Sequence, residues 1–215
     1  VGAVPGTELP FNSELLSFNA NLSTAKQITP SLSIGAAATV GFGLLQIGTV
    51  GQSGPDIPTG QFGGTTSSVH DTGVRFSLGI TQQVSDNIIL SALYKSKLKY
   101  EFTDVTSTSV APEGLQTLTV EQPSEYVLGA AMNLSPSWLI EIDIMRNLWG
   151  GASTYEDIYK DQTAFVLGTQ YKLGDWSFRL GYSHQSDQFR DEPNDSINSL
   201  HGIGSIPLPF IGSDL

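Results

Sequence analysis

The chain has 215 residues, with 23 Gly, 11 Pro, no Cys and a net charge of −11. The acidic balance leaves no basic patch to neutralise phosphates, which argues against nucleic-acid binding, and the missing cysteine excludes disulfide-stapled folds and thiolate chemistry. Only 14% of residues are charged, against roughly 25% in a typical soluble domain, so much of the surface is expected to face something other than water.

Eight strands are predicted in chain order, over 14–26, 31–47, 73–84, 88–103, 124–134, 138–149, 164–173 and 176–189, because every second residue in each stretch is apolar. Ahead of them, Val1-Gly2-Ala3-Val4-Pro5 lacks the basic start and long apolar core of a signal peptide. The uncharged run Ile34 to Gly51 has a length that would suit a membrane helix. Its glycines (35, 41, 43, 48 and 51) and the even parity of Leu32, Ile34, Val40, Phe42 and Leu44 favour a long strand instead. Phe76-Ser77-Leu78-Gly79, Tyr126-Val127-Leu128-Gly129 and Phe165-Val166-Leu167-Gly168 repeat one pattern, each leading into a tight turn and an amphipathic partner strand. The repeating unit is therefore a hairpin.

The connections alternate in length. Gln27-Ile28-Thr29-Pro30, Ser85-Asp86-Asn87, Ser135-Pro136-Ser137 and Gly174-Asp175 read as tight turns. The stretches 48–72, 104–123, 150–163 and 190 onward read as long loops rich in small, polar and acidic residues. Short turns at one end and long loops at the other fit an outer-membrane barrel, and the strands are long enough to span a bilayer when tilted.

The apolar face holds Phe76, Leu78, Ile80, Leu90, Tyr94, Tyr126, Leu128, Ile142, Phe165, Leu167, Phe178 and Leu180. Trp138 and Trp176 open strands just after tight turns and Tyr171 precedes one, where an interfacial aromatic girdle falls. That assigns the apolar face to lipid and the opposite face to a lumen. Gly35, Gly41, Gly43, Gly79, Gly129, Gly168 and Gly181 share the lumenal parity. Glycine inside a strand weakens it and often marks close approach of another group, so a plug or substrate is expected against this face; the plainer alternative is that glycine helps the sheet curve.

Tyr94-Lys95-Ser96-Lys97-Leu98-Lys99-Tyr100-Glu101-Phe102, the strand from Ser137-Trp138-Leu139 to Asn147-Leu148-Trp149, and Tyr159-Lys160-Asp161-Gln162 leading through Leu167-Gly168-Thr169-Gln170-Tyr171 to Trp176-Ser177-Phe178-Arg179-Leu180-Gly181-Tyr182-Ser183 carry a resemblance over about residues 14–190. They resemble the outer-membrane long-chain fatty acid and aromatic hydrocarbon transporters (FadL-type, with toluene-uptake relatives). The resemblance implies an all-β, antiparallel up-and-down transmembrane barrel of fourteen strands, closed inside by an N-terminal hatch. Eight strands with no evident hatch or final strand make residues 1–215 part of one barrel domain, from its middle. The implied function is passive uptake of hydrophobic small molecules through the lumen with lateral release, in the outer membrane of a Gram-negative bacterium, by a monomeric barrel. Expected partners are a hydrophobic substrate and membrane lipid, with no cofactor and no nucleic acid.

For an acid substrate, a lumenal cation would pair with the carboxylate. Parity puts Arg75, Lys95, Lys97, Lys99 and Arg179 on the lumenal face, with Glu141 and Asp143. An internal ion-pair network is the competing role, favoured for Arg75 and Arg179. In the last loop, Leu208 and Phe210 belong to an apolar stretch, 203–211, which reads either as a capture surface or as a fold-back onto the rim. The acidic run Asp191-Glu192-Pro193-Asn194-Asp195 has hard-cation ligands but reads more simply as a solvated loop, so no metal site is assigned. His184 near Asp187 lacks a nucleophile elbow, and the chain is read as no enzyme. Two other readings stay open: a structural or adhesive barrel without transport, and a soluble lipocalin-like binder.

Overall fold

Tight turns at Pro30-Ser31, Asp86-Asn87, Pro136-Ser137 and Gly174-Asp175 send the chain back and forth as antiparallel hairpins. At the last, Gly174 has φ +56°, a left-handed conformation that glycine adopts without steric cost. A computed structural model of the chain describes residues 2–3, 10–49, 63–64, 68–107, 116–153, 155–156 and 158–190. The strands are β1 (Gly2–Ala3), β2 (Pro10–Thr29), β3 (Leu32–Thr49), β4 (Gly63–Gly64), β5 (Val69–Ser85), β6 (Ile88–Lys95), β7 (Leu98–Ser107), β8 (Gln116–Gln122), β9 (Glu125–Ser135), β10 (Trp138–Asn147), β11 (Gln162–Leu173) and β12 (Trp176–Gln185), with a 3-10 turn at Trp149–Gly151.

Nine strands form one antiparallel sheet in the order β1-β2-β3-β5-β6-β9-β10-β11-β12, and β4, β7 and β8 form a second. Eight of the nine are long, as the alternation predicts, and the large sheet is an open wall rather than a closed barrel among the described residues. Two expectations fail. The stretch 88–103 is not one strand: β6 ends at Lys95 and β7 starts at Leu98 in the other sheet. The stretch 104–123 is not all loop, because β8 pairs with β7. The parity of Tyr94, Leu98, Tyr100 and Phe102 runs unbroken through the switch, so alternation alone could not mark it.

Register keeps each face in line across the wall. Ile80 lies opposite Ala92, which lies opposite Leu128, then Ile144 and Phe165. This face is bare: Leu180 is 76% exposed, Trp176 73% and Leu128 60%. A soluble barrel would bury these side chains, whereas here the packed core lies against the opposite face. Trp138, Tyr171 and Trp176 lie outward at the turn end, with Trp138 opposite Tyr171 and its Nε1 donating to Thr169 Oγ1 at 2.8 Å.

The buried core is on the other face and at the loop end. It gathers Leu45 from β3, Leu98, Tyr100, Phe102 and Val105 from β7, Val120 from β8, and Ala152, Tyr155 and Tyr159 from the β10–β11 connection. Apolar burial drives this assembly, and it lays the β7–β8 hairpin between the wall and that connection.

Candidate functional site: the inner wall and its folded-in hairpin

The lumenal glycines are occupied by the chain itself. A Cβ on Gly43 would lie 2.9 Å from Phe102 Cζ and 3.1 Å from Tyr100 Cδ1. One on Gly41 would meet Leu98 Cδ2 at 3.0 Å, and one on Gly73 would meet Leu98 Cδ1 at 2.8 Å and collide with the Lys99 carbonyl. Gly41 and Gly73 are opposite each other in the register, so β3 and β5 offer a floor without side chains onto which β7 lies flat. Ser17 and Tyr100 share a hydroxyl hydrogen bond of 2.8 Å, and the Glu101 N–H donates to Asp71 Oδ2 at 2.6 Å. The remaining glycines of the row do not touch the hairpin; Gly129 lies under Asp143 and Ser91, and Gly168 beside Glu141.

Most of the cations predicted for the lumen are committed to holding this arrangement. Arg75 on β5 donates through Nε to Ser96 O (2.9 Å), through Nη2 to Pro123 O (3.1 Å) and through Nη1 to Gln122 Oε1 (3.4 Å). Lys95 Nζ is 2.7 Å from Glu125 Oε1. Lys97 Nζ is 3.0 Å from Glu121 Oε2 and also donates to Gly151 O. Lys99 pairs with Glu101. Glu121 is buried and accepts a second hydrogen bond, from the Ser153 N–H at 2.8 Å. Burial pushes its carboxyl pKa up, but the Ser153 N–H and Lys97 outweigh that and hold it below the ordinary carboxylate value.

Beyond Glu121 lies an aromatic cluster. Trp149 meets Tyr155 and Tyr159 edge-on at 5.5 and 5.3 Å, the two tyrosine rings stack at 5.4 Å, and Phe189 packs edge-on against Tyr159 at 5.3 Å. Burial pushes both tyrosine phenols up in pKa, so both stay neutral. Arg190 donates from N to Ile158 O and from Nε to Tyr159 O, fastening the segment after β12 to this loop.

Toward the turn end the wall is open. Glu141 and Arg179 line one cavity of about 370 Å³ with Gly168, Gln170 and Gly181. Arg179 Nε donates to Gln170 Oε1 at 2.7 Å. The predicted ion-pair network does not form among the described residues: Arg75 bonds to carbonyls and an amide, Arg179 to an amide, and neither Glu141 nor Asp143 is in a salt bridge. Leu208, Phe210 and the acidic run 191–195 lie outside the described residues.

Parity reasoning listed polar residues for the lumen and passed over the apolar ones beside them. Leu93, Val127, Met145 and Ala164 fall in one row of the register across β6, β9, β10 and β11. Val166 is on the same face, opposite Asp143. The row lies one step below the Lys95–Glu125 pair and makes a continuous apolar band across a wall whose face also carries Glu141, Asp143 and Arg179. The signal that could have found it is an apolar residue at the polar parity, as in Tyr126-Val127-Leu128.

A family model described as outer membrane protein transport protein (OMPP1/FadL/TodX) matches residues 3–197. Among solved structures, the toluene transporter TbuX of Ralstonia pickettii is 20% identical with a TM-score of 0.57, covering 82% of this chain and 57% of its own. The toluene transporter TodX of P. putida is 21% identical with a TM-score of 0.59, covering 86% of this chain and 58% of its own. A TodX deltaS2S3 mutant, described as a monoaromatic hydrocarbon channel, is 19% identical with a TM-score of 0.60, covering 88% and 59%. At these identities the likeness is one of fold, and the chain spans less than three fifths of each. No curated protein sequence matches.

Proposed function

The chain belongs to the outer membrane protein transport family (OMPP1/FadL/TodX), and from that premise we propose that it walls part of a channel for passive uptake of hydrophobic small molecules across the outer membrane. The family is one of transport channels, so the chain is an outer-membrane barrel protein and not an enzyme. Its open wall would be completed by further strands into a larger barrel, monomeric as in the resemblance, with lateral release of the solute through the wall.

The observation that carries the reading is the apolar band Leu93, Val127, Met145 and Ala164 on the lumenal face. A channel for polar solutes has no use for such a band, whereas a hydrophobic solute gains from it in proportion to the area removed from water. The same wall favours a neutral solute over an acid one. Lys95 and Lys97 already face carboxylates and Arg75 is spent on carbonyls, so none is free to meet a substrate carboxylate without breaking a contact. Among the described residues of the lumenal face, Arg179, which bonds a neutral amide and lines a cavity with Glu141, and Lys172 beside it at the turn end remain for that role. Solved structures similar to this fold include toluene transporters, which agrees with an aromatic hydrocarbon as the solute.

Uptake by the intact protein in proteoliposomes tests this directly. A monoaromatic hydrocarbon is expected to enter faster than into protein-free vesicles, and faster than a long-chain fatty acid. A preference for the fatty acid that disappears in Arg179→Gln would overturn the neutral-solute assignment. Uptake of neither would overturn the channel reading in favour of a structural barrel.

A further inference from the structure

The β7–β8 hairpin leaves the wall through two short connections lying side by side, Ser96-Lys97 and Pro123-Ser124, neither of them in a strand. On the wall side, Tyr94 is opposite Tyr126 and Lys95 opposite Glu125. On the hairpin side, Leu98 is opposite Gln122 and Lys99 opposite Glu121. The hairpin is thus a two-stranded flap attached at a pair of hinges where the ladder is interrupted. A single guanidinium from a third strand spans both: Arg75 holds Ser96 O at 2.9 Å and Pro123 O at 3.1 Å.

The rest of the flap's seat is apolar packing with few polar ties to the wall. Its buried side chains, Leu98, Tyr100 and Phe102, rest on Gly41, Gly43 and Gly73 beside Leu45, so much of the floor beneath them is bare backbone. Its polar contacts with the wall, Ser17 to Tyr100 and Asp71 to the Glu101 N–H, are ones that water can replace. The described strands of the flap pack with Ala152, Tyr155 and Tyr159 at the loop end of the inner face, on the loop side of the apolar band.

We propose that the β7–β8 hairpin is a gate across the loop end of the lumen, turning about Ser96-Lys97 and Pro123-Ser124, with Arg75 as its latch; this rests on the uptake reading above. Hinges of a few residues that absorb a backbone change are the usual means of such closure. Arg75 acts as a positioning residue, through its hydrogen bonds to the hinge carbonyls of Ser96 and Pro123.

The chain has no cysteine, so introduced thiols report without background. In the intact protein, a disulfide between Asp71→Cys and Glu101→Cys ties the flap to the wall. Hydrocarbon uptake is expected to fall at least about tenfold on oxidation and to recover on reduction, since a locked closed state leaves almost no open population. The second measurement needs no transport. Val105, fully buried in the flap, is replaced by Cys and its alkylation by a small maleimide is timed in the folded barrel. Labelling is expected to proceed, and to run about tenfold faster in Arg75→Ala, because loss of a charge-assisted clasp raises the open population. Uptake that is unchanged by the disulfide, or Cys labelling that is indifferent to Arg75, would overturn the gate. If the unmodified protein takes up no hydrocarbon, the uptake reading fails and the labelling alone decides whether the flap opens.

Discussion

Gly73 and Gly168 are both lumenal glycines in mid-strand, yet a methyl group means different things at each. At Gly73 it would strike the backbone carbonyl of Lys99, which cannot turn away; at Gly168 it would lie at ordinary contact distance from Glu141. Gly73→Ala is therefore expected to cost the hairpin about 1–3 kcal/mol of docking, as overpacking does, and Gly168→Ala close to nothing; protease cleavage within 98–122 separates the two. Glu121 gives the residue-scale pH effect. Its folded pKa lies below its unfolded value of 4.5, so the stability it contributes is complete above pH 4.5 and is lost as pH falls through the lower folded value. Docking of the 148–161 loop on the hairpin should weaken over that acid window, read by Trp149 fluorescence with Trp138 and Trp176 replaced by Phe. In Glu121→Gln the docking should be weaker at neutral pH and lack this acid-linked component.

The elements that matter most are those that leave the wall. Tyr159 is buried among Trp149, Tyr155 and Phe189, and removing a large aromatic side chain from a core costs roughly 3–5 kcal/mol. Tyr159→Ala should therefore free the loop and the segment through Phe189, seen as a red shift of Trp149 emission, while the hairpins of the wall remain folded. The wall was readable residue by residue, because a period of two and four tight turns leave few other arrangements. Of the glycine row, five do not touch the hairpin, while Gly41 and Gly43 marked where something lies against the wall. What covers it was not readable: Leu98, Tyr100 and Phe102 keep the parity of lipid-facing residues although their surroundings change from lipid to protein core. Alternation reports that one side of a strand is apolar and is silent on what that side meets. Arg75 was visible as a lumenal cation, but its carbonyl partners are backbone groups at a break in pairing, which no side-chain pattern encodes.

At the scale of the molecule, the described residues invert the order of a soluble barrel: large apolar side chains outside, an inner wall that carries the charged groups and an apolar band, and a buried core at the loop end. Adjacent residues on β9 place this inversion under test, since Leu128 is outward and Val127 belongs to the band. Leu128→Arg is expected to reduce folding stability in lipid by roughly 2–4 kcal/mol if it lies near the midplane, and Val127→Arg by less, measured by urea titration in vesicles. The most direct measurement of the central claim uses single cysteines at the same two positions, spin-labelled in the intact protein in a bilayer. The label at Leu128 should be relaxed by oxygen dissolved in lipid and be unaffected by a hydrocarbon solute; the label at Val127 should be relaxed by a water-soluble reagent and become protected when the solute is added. Exchanged accessibilities, or a Val127 label that the solute does not protect, would contradict it.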